Sequence, residues 1–275
     1  MTTQTIDGIT FKMQEEYDFG FLSAYGRVFK VFDEQDSGNI CFGAEGENGK
    51  LFIKFAGAKT AEYDGRPEDA VQRLKAAVHL YKALAHPSLI HLRDATEIGG
   101  GHAAIFDWAD GECMGRMYED SHRRIMALTV EEKTKIFSSV IDFLKFTAAQ
   151  GYQAIDFYDG SIMYDTISGK TTICDIDYFR KQPAFNDMGR MWGSSRFLSP
   201  EEYEKGAALD EVTNVFTLGQ MGFSLFTDSD RSQEVFPLTA GCFEVLMKAI
   251  SPDREKRYRS IAEFEENWKR EIKRR

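Results

Sequence analysis

Two aspartates on either side of a short apolar stretch are the residues of this sequence whose spacing best suits chemistry. Asp156 lies in the stretch AIDFYDGS, residues 154–161, and Asp175 lies in CDIDY, residues 174–178. The residues between them read as strand, turn and strand, which predicts a β-hairpin with Asp156 before its first strand and Asp175 just after its second. One carboxylate can then orient or deprotonate a nucleophile while the other holds a divalent metal ion. Two solvated turns are the alternative interpretation, because Asp favours turns.

Length, charge and cysteine usage restrict the classes of protein to which this chain can belong. Its 275 residues can bury a full core and fit one or two lobes better than three domains. A net charge of −10 argues against a general nucleic-acid binder, whose affinity rests on Lys and Arg neutralising phosphates. The cysteines are scattered without a CxxC pair, which indicates neither a zinc site nor a disulfide framework. Without a signal-peptide core or an apolar run near the ~18 residues of a membrane span, we expect a cytoplasmic protein.

The first 108 residues read as a mostly antiparallel sheet with one helix. Pro67 opens the helix, which extends to about Leu84. The residues at 47–49 give a good hairpin signal between two of the strands. Strand patterns occur at 9–13, 26–32, 39–44, 51–55, 89–98 and 102–108.

From residue 109 onward the pattern becomes mainly helical. Thr129 can cap a long helix that extends to about Gln150. Further helices are predicted at about 200–205, 212–226, 241–250 and 261–273. The predicted fold class is therefore α+β, with a β-rich domain over 1–108 and a larger helical domain over 109–275. Ligands favour the clefts between such domains.

The segment from Arg180 to Arg196 has little periodicity and several basic residues. One interpretation is a solvated loop that balances nearby acidic side chains. The other is a site for an acidic acceptor, or for the segment's own Ser194 or Ser195 once phosphorylated.

In order and spacing, these pieces resemble the protein kinase family over nearly the whole chain. Lys54, in the strand LFIK, stands where kinases carry the lysine that meets the nucleotide phosphates, and Asp156 stands at the catalytic aspartate. The triplet DID at 175–177 replaces Asp-Phe-Gly. The stretch GSSRFLSPE at 193–201 is similar to the end of an activation segment, and SPDREKR at 251–257 resembles the late Arg motif. The resemblance implies a bilobal fold, with a small antiparallel β N-lobe carrying one helix and a larger α-helical C-lobe.

By this resemblance the chain is an ATP-dependent phosphotransferase, similar to Ser/Thr protein kinases, that uses Mg²⁺ or Mn²⁺. Asp156 would orient the acceptor hydroxyl and Lys54 would contact the phosphates. The implied metal ligands are Asp175, Ser161 and Asp177. The implied nucleotide-binding residues are Gly26, Val28, Phe52, Lys54, Phe106, Asp107, Trp108, Ala109 and Met163. The last two implications are structural: Arg257 would form a buried ion pair with Glu201, and Asn214 takes the place of the aspartate of a buried helix.

Several positions depart from the family pattern. The stretch FLSAYGRV at 21–28 stands for the Gly-rich loop GxGxxGxV and keeps only its third glycine and its valine. Phe52 replaces the small residue that roofs adenine, and Ala77 stands where the helix offers a glutamate to the lysine. Ala154 and Ile155 replace the catalytic His and Arg. Asp177 and Asp159 could compensate by adding carboxylates near the metal.

Three functions remain open on the sequence. The first is an active kinase acting on a protein hydroxyl, and the second is a phosphotransferase for a small molecule on an aminoglycoside-kinase-like plan. The third is a pseudokinase, an interaction module that binds nucleotide or has lost it. The sequence does not indicate the oligomeric state.

Overall fold

The computed structural model describes residues 1–47 and 49–274, so Asn48 in the predicted turn at 47–49 lies outside the described residues. The chain is a mixed α+β protein with several small antiparallel sheets. It divides into two compact units. The first comprises Met1–Ala85 and Ile90–Ala109, and the second comprises His86–Leu89 and Asp110–Arg275.

The first unit is built on one antiparallel sheet and one helix. Its elements are β1 (Thr2–Ile6), β2 (Ile9–Met13), β3 (Arg27–Phe32), β4 (Asn39–Gly46), β5 (Gly49–Ala56), α1 (Pro67–Ala83), β6 (Leu92–Ile98) and β7 (Gly101–Asp107). Five strands pair in the order β3-β4-β5-β7-β6, whereas β1 and β2 form a separate hairpin. Pro67 occupies the first turn of α1, where its missing N–H costs nothing.

The two faces of the five-stranded sheet have different coverings. On one face, Ile53 and Phe55 of β5 join an apolar core that includes Phe11 of β2 and Leu22. On the other face lie Phe52 and Lys54, because successive side chains of a strand point to opposite sides. Helix α1 packs in this unit against β5 and β7. One face of the sheet therefore carries the apolar core of this unit, and the other face mixes aromatic rings with a lysine.

The second unit contains most of the helices and three small sheets. Its elements are β8 (Glu112–Cys113), α2 (Glu119–Met126), α3 (Val130–Ala149), β9 (Tyr152–Gln153), β10 (Ile162–Asp165), β11 (Lys170–Ile173), β12 (Arg180–Lys181), β13 (Ala184–Phe185), β14 (Ala208–Leu209), α4 (Glu211–Thr227), α5 (Ala240–Ala249) and α6 (Ile261–Ile272). The sheets have the orders β11-β10-β8, β12-β9 and β13-β14. None of the helices in the described part of the chain combines the length and apolarity that a bilayer crossing requires.

Local sequence signals explain the main helices of this unit. The Thr129 side chain accepts a hydrogen bond from the Glu132 N–H and Glu132 reaches back to the Thr129 N–H, so α3 begins with a capping box, as predicted. Helix α4 is buried along nearly its whole length. A Cβ at Gly222 would lie 2.7 Å from the Leu246 side chain of α5, so glycine is what allows these two helices to approach closely.

Most predicted elements are present, and the differences include the following. Residues 200–205 were predicted as a helix, but only Pro200–Tyr203 form a short 3₁₀ turn. Helix α2 was not predicted. Residues Gly20–Tyr25, predicted as part of a phosphate-binding loop, form a 3₁₀ helix whose Leu22 is buried in the apolar core.

Candidate functional site

The predicted acidic hairpin is present in the second unit. Strands β10 and β11 pair antiparallel with Ile162 opposite Ile173, and both of these side chains are buried. Asp156 precedes the hairpin and Asp175 follows it by two residues. The Cys174 N–H donates to the Ser161 carbonyl at 2.8 Å, which fixes the start of the hairpin beside its end.

Both hairpin aspartates have a left-handed backbone. The φ angle is +57° at Asp156 and +57° at Asp175. Non-glycine residues rarely adopt this conformation, although Asp does so more readily than most. Burial, and then the negative charges of Asp156 and Asp175, raise the pKa of Tyr158, so both carboxylates lie near one tyrosine ring. The hairpin therefore brings the two predicted carboxylates to one location on two unusual backbone turns.

Asn214 of α4 fastens the residue that lies two positions before Asp156. The Ala154 N–H donates to Asn214 Oδ1 at 3.0 Å, and Asn214 Nδ2 donates to the Ala154 carbonyl at 2.9 Å. Both Ala154 and Asn214 are buried, so these bonds are shielded from water. An uncharged amide can serve both backbone groups of Ala154, which a carboxylate cannot do.

The predicted metal ligands lie just before and just after the hairpin, next to the hydrogen bond that joins Cys174 to Ser161. Ser161 is 1% exposed, and its Oγ has no hydrogen-bond partner among the described residues. Asp175 is exposed, and it is separated from Asp177 by the buried Ile176. Among residues 1–47 and 49–274, no group of three or more His, Cys, Asp or Glu side chains is placed to hold a metal ion. Mg²⁺ often takes only one or two protein carboxylates and completes its shell with phosphate and water, so Asp175, Asp177 and the Ser161 hydroxyl are the residues that could hold it.

Asp159 does not belong with these ligands, which corrects the expectation that it adds a carboxylate to a metal site. Its side chain is completely buried and is paired with Arg196, whose Nη2 lies 2.7 Å from Oδ2. Ser224 Oγ of α4 donates to the same Oδ2 at 3.3 Å. Asp159 therefore serves the internal structure of the loop that carries Asp156.

The segment 180–196 is ordered against the rest of its unit. Strand β12 pairs with β9, and β13 pairs with β14. A Cβ at Gly193 would lie 3.3 Å from Asp156 Oδ1, so the segment passes directly beside the predicted catalytic carboxylate. Ile155 is buried in an apolar cluster with Ala184 and Met191 of the segment. Apolar packing thus occupies the position at which the catalytic Arg of the resembled family was expected.

The arginine side chains of this segment are already engaged. Arg180 pairs with Asp187 at 3.1 Å, and Arg190 donates to the carbonyls of Met191 and Gly193. With Arg196 held by a buried carboxylate, the segment does not present an unpaired cluster of arginines. These contacts favour internal bracing over the predicted site for a phosphorylated or acidic group.

The predicted buried ion pair of the resembled family is confirmed. Arg257 Nη1 lies 2.7 Å from Glu201 Oε1, and its Nη2 lies 3.0 Å from Oε2. Burial raises the pKa of Glu201, but hydrogen bonds from Arg257 and its charge outweigh this effect and lower it below the ordinary value. Arg254 also donates to Glu201 Oε1 at 2.9 Å. The neighbouring Glu202 lacks such a partner, and burial raises its pKa to about 7.

In the first unit, Lys54 and its predicted neighbours lie on one face of the sheet. Lys54 is 5% exposed and stands opposite Ala104, and Phe52 stands opposite Phe106. The Phe52 ring centroid lies 6.2 Å from that of Phe106 and 6.5 Å from that of Trp108. The predicted adenine-binding side chains therefore form an aromatic cluster. Ala77 of α1 is fully buried, as befits a residue that packs without offering a charge.

The placement of Val28 differs from the prediction. Val28 stands opposite Ala44 and is buried in the apolar core on the other face of the sheet, because β3 shifts register between Val28 and Lys30. Phe29, at that irregularity, packs edge-on against Trp108 with ring centroids 4.9 Å apart. Val28 is therefore not beside Phe52 and Lys54, and Phe29 takes that place. Sequence reasoning missed Phe29 because a β-bulge breaks the alternation from which faces are read.

Gly26 has a structural task at the start of β3. Its φ is +116°, and a Cβ there would lie 2.3 Å from the Glu45 carbonyl oxygen. Only glycine allows this approach of two backbones. The predicted phosphate-binding loop at 21–28 does not join two strands of the five-stranded sheet, because Gly20–Tyr25 is a 3₁₀ helix that precedes β3. The loop that joins β3 to β4 is 33–38, DEQDSG. This loop contains three acidic residues and a single glycine.

The backbone predicted to bind adenine is partly engaged. The Asp107 N–H donates to the His91 carbonyl at 3.0 Å, and the Trp108 N–H donates to the Lys50 carbonyl at 3.2 Å. The Asp107 carboxylate is held by Arg93 and by His91. Of the three residues Asp107, Trp108 and Ala109, the last is therefore the best candidate to offer an N–H group to a ligand.

Met163 lies in the second unit, on the central strand of the sheet β11-β10-β8. It stands opposite Thr172 on one side and Cys113 on the other. Its side chain is partly exposed, whereas its neighbours Ile162 and Tyr164 are buried. Met163 therefore belongs to the open face of this sheet, where a planar ligand could rest.

Neither a scan against protein-family models nor a search of curated proteins finds a match to this sequence.

Proposed function

We propose that this protein is an ATP- and Mg²⁺-dependent phosphotransferase of the protein-kinase-like class, acting on a hydroxyl group of a polypeptide. In this proposal the two units serve as the two lobes of a kinase-like fold. The observation that carries it is the hairpin whose two aspartates, both left-handed, flank one short pair of strands above the buried Asn214. Phosphoryl transfer needs positioned phosphates, metal and nucleophile more than covalent help from the protein.

The roles follow from the chemistry of each group. Asp156, which is partly exposed, would accept a hydrogen bond from the acceptor hydroxyl. Asp175, Asp177 and the unpartnered Ser161 Oγ would hold the metal ion, which neutralises charge on the phosphates when bound. Lys54, on the third strand of its sheet, would contact the phosphates.

A polypeptide acceptor is supported by the side chains of the segment 180–196 and its neighbourhood. Phe185, Met188, Trp192 and Tyr203 are exposed, between 40% and 53%. Trp192 immediately precedes Gly193, which lies beside Asp156. Exposed apolar side chains at this position suit an extended peptide better than a small polar sugar.

An interaction module without turnover is the second candidate, and a specific observation favours it. The loop 33–38 contains Asp33, Glu34 and Asp36, and Asp33 already accepts a hydrogen bond from the Lys12 N–H at 2.7 Å. A loop of this charge repels phosphates rather than cradling them. The partly exposed Phe52 ring also occupies the face on which adenine would lie.

Calorimetry and turnover together separate the two candidates. We expect ATP to bind in the presence of Mg²⁺, and we expect Asp175→Asn to abolish the metal-dependent part of this binding. Labelled ATP should then transfer its γ-phosphate to the protein itself or to Ser- and Thr-containing peptides. Binding without transfer would favour the interaction module, and binding unaffected by metal would contradict the assignment of Asp175 as a metal ligand.

A further inference from the structure

The loop that carries Asp156 contains one carboxylate with no role in the proposed chemistry. Asp159 lies between Asp156 and Ser161, in the 3₁₀ turn Asp159–Ser161, and its side chain is 0% exposed. An ionised carboxylate at such a site is tolerated only when it is paired and hydrogen-bonded. Its partners therefore determine whether the loop keeps its shape.

Arg196, which is distant in sequence, makes most of the contacts to the Asp159 carboxylate. Its Nη2 lies 2.9 Å from Asp159 Oδ1 and 2.7 Å from Oδ2, while Ser224 Oγ donates to Oδ2 at 3.3 Å. The guanidinium also lies over the Phe197 ring, 5.0 Å from its centroid. The Arg196 side chain is 28% exposed, so much of the pair is shielded from solvent.

This ion pair is one of two contacts between the same two stretches of chain. Gly193, three residues before Arg196, lies beside Asp156, which is three residues before Asp159. The stretches 193–196 and 156–159 thus meet at both of their ends. Movement of Arg196 would free the far end of the loop, and with it the backbone that orients the Asp156 carboxylate and the Ser161 hydroxyl.

We propose that Arg196 is a positioning residue that acts through Asp159 to hold Asp156 and Ser161 in their working arrangement. The segment provides this brace with its own guanidinium and with the apolar cluster around Ile155, so no phosphate on Ser194 or Ser195 is needed for it. The role in turnover rests on the proposed phosphotransferase function.

Four variants of the full chain test the brace by kinetics. Arg196→Met should lower kcat on the order of 10- to 100-fold with a KM for ATP within about 3-fold of the wild type, since small misplacements of catalytic groups have effects of this size. Arg196→Lys should recover part of kcat because it keeps the charge. Combining Arg196→Met with Asp159→Asn should recover more than Arg196→Met alone, because the double variant buries no unpaired carboxylate. The matched control is Arg180→Met, which removes the Arg180–Asp187 pair from the same segment and should leave kcat within about 2-fold.

Amide hydrogen exchange of residues 157–163 gives a readout that needs no activity. We expect faster exchange there in Arg196→Met than in Arg180→Met, at temperatures where both variants are folded. If the wild type transfers phosphate and Arg196→Met keeps the kcat of the control, the proposal is overturned. If the wild type transfers no phosphate, the proposed function fails, and hydrogen exchange alone tests the positioning role of Arg196. Faster exchange of residues 157–163 in Arg196→Met than in Arg180→Met would support this role, and equal exchange would overturn it.

Discussion

The loop around Asp156 and the sheet face around Lys54 are built in opposite ways. Around Asp156, polar groups are paired one by one: Asn214 serves Ala154, and Arg196 serves Asp159. Around Lys54, the side chains of β5 and β7 on the same face of the sheet include the rings of Phe52 and Phe106 and the small Ala104. One region is specified by hydrogen bonds and the other by packing.

This difference bears on what each region could contribute to the proposed phosphate transfer. Buried hydrogen bonds and ion pairs such as those of Asn214 and Arg196 hold a backbone in one arrangement, which orientation of a nucleophile requires. An aromatic face can hold a planar ring by stacking but offers few donors to phosphate. In the proposed function, the metal ion and Lys54 would therefore neutralise most of the phosphate charge.

The largest expected effect comes from the best-braced group. Asp156→Asn should lower kcat for phosphate transfer by about 10²- to 10⁴-fold, the range for loss of a general base, while the affinity for ATP changes little. Asp165→Asn is the matched control, because Asp165 closes the far turn of the same hairpin and Asn favours the same turn. Equal activities of the two variants, measured with labelled ATP, would remove Asp156 from the mechanism.

A second expected effect is on stability and concerns the buried ion pair between Glu201 and Arg257. Arg257→Met leaves the Glu201 carboxylate buried, although Arg254 still contacts it, so unfolding free energy should fall by about 3 to 5 kcal/mol. Arg259→Met removes an exposed pair with Glu255 and should have little effect. Urea titrations of the two variants provide the measurement. Similar midpoints would show that the buried pair contributes no more than a surface one.

Glu202 predicts a pH dependence in the same region. Burial raises its pKa from the ordinary 4.5 to about 7, so the folded state holds a proton that the unfolded state releases. The stability associated with this proton is fully present below pH 4.5 and is lost as the pH rises through about 7, amounting to roughly 2 to 4 kcal/mol. Glu202→Gln, which can still accept from the Ser199 N–H, should flatten the stability profile between pH 5 and pH 8. A profile as steep as that of the wild type would assign the dependence to other groups.

The sequence predicted the loop around Asp156 better than the sheet face around Lys54. Local signals predicted the hairpin and the cap at Thr129, and the resemblance to the kinase family implied the Glu201–Arg257 pair; all three are present. The Arg196–Asp159 pair was missed because no periodicity links residues that are 37 positions apart. Asp159, which is buried, was therefore grouped with the carboxylates that were expected near a metal ion.

The packed region was harder for a different reason. The phosphate-binding loop was predicted at 21–28 because Gly26 matches the third glycine of the family pattern. In the structure this glycine instead allows the backbone to approach the backbone of Glu45 closely. The register shift at Val28 then reversed the face on which that side chain lies. A single bulge is enough to invert such an assignment, since side chains in a strand alternate with a period of two.

The smallest expected effect tests whether the acidic loop 33–38 opposes phosphate binding. Glu34 and Asp36 are exposed, so Glu34→Gln with Asp36→Asn should leave the fold intact and tighten ATP binding by about 3- to 10-fold at low salt. Glu45→Gln with Glu47→Gln is the matched control, because it removes two exposed charges near the other end of β4. The gain should shrink in ~0.5 M salt, where the Debye length is only a few ångströms. An equal gain in both double variants would indicate a general charge effect, and no gain in either would mean that the phosphates of ATP do not approach this loop.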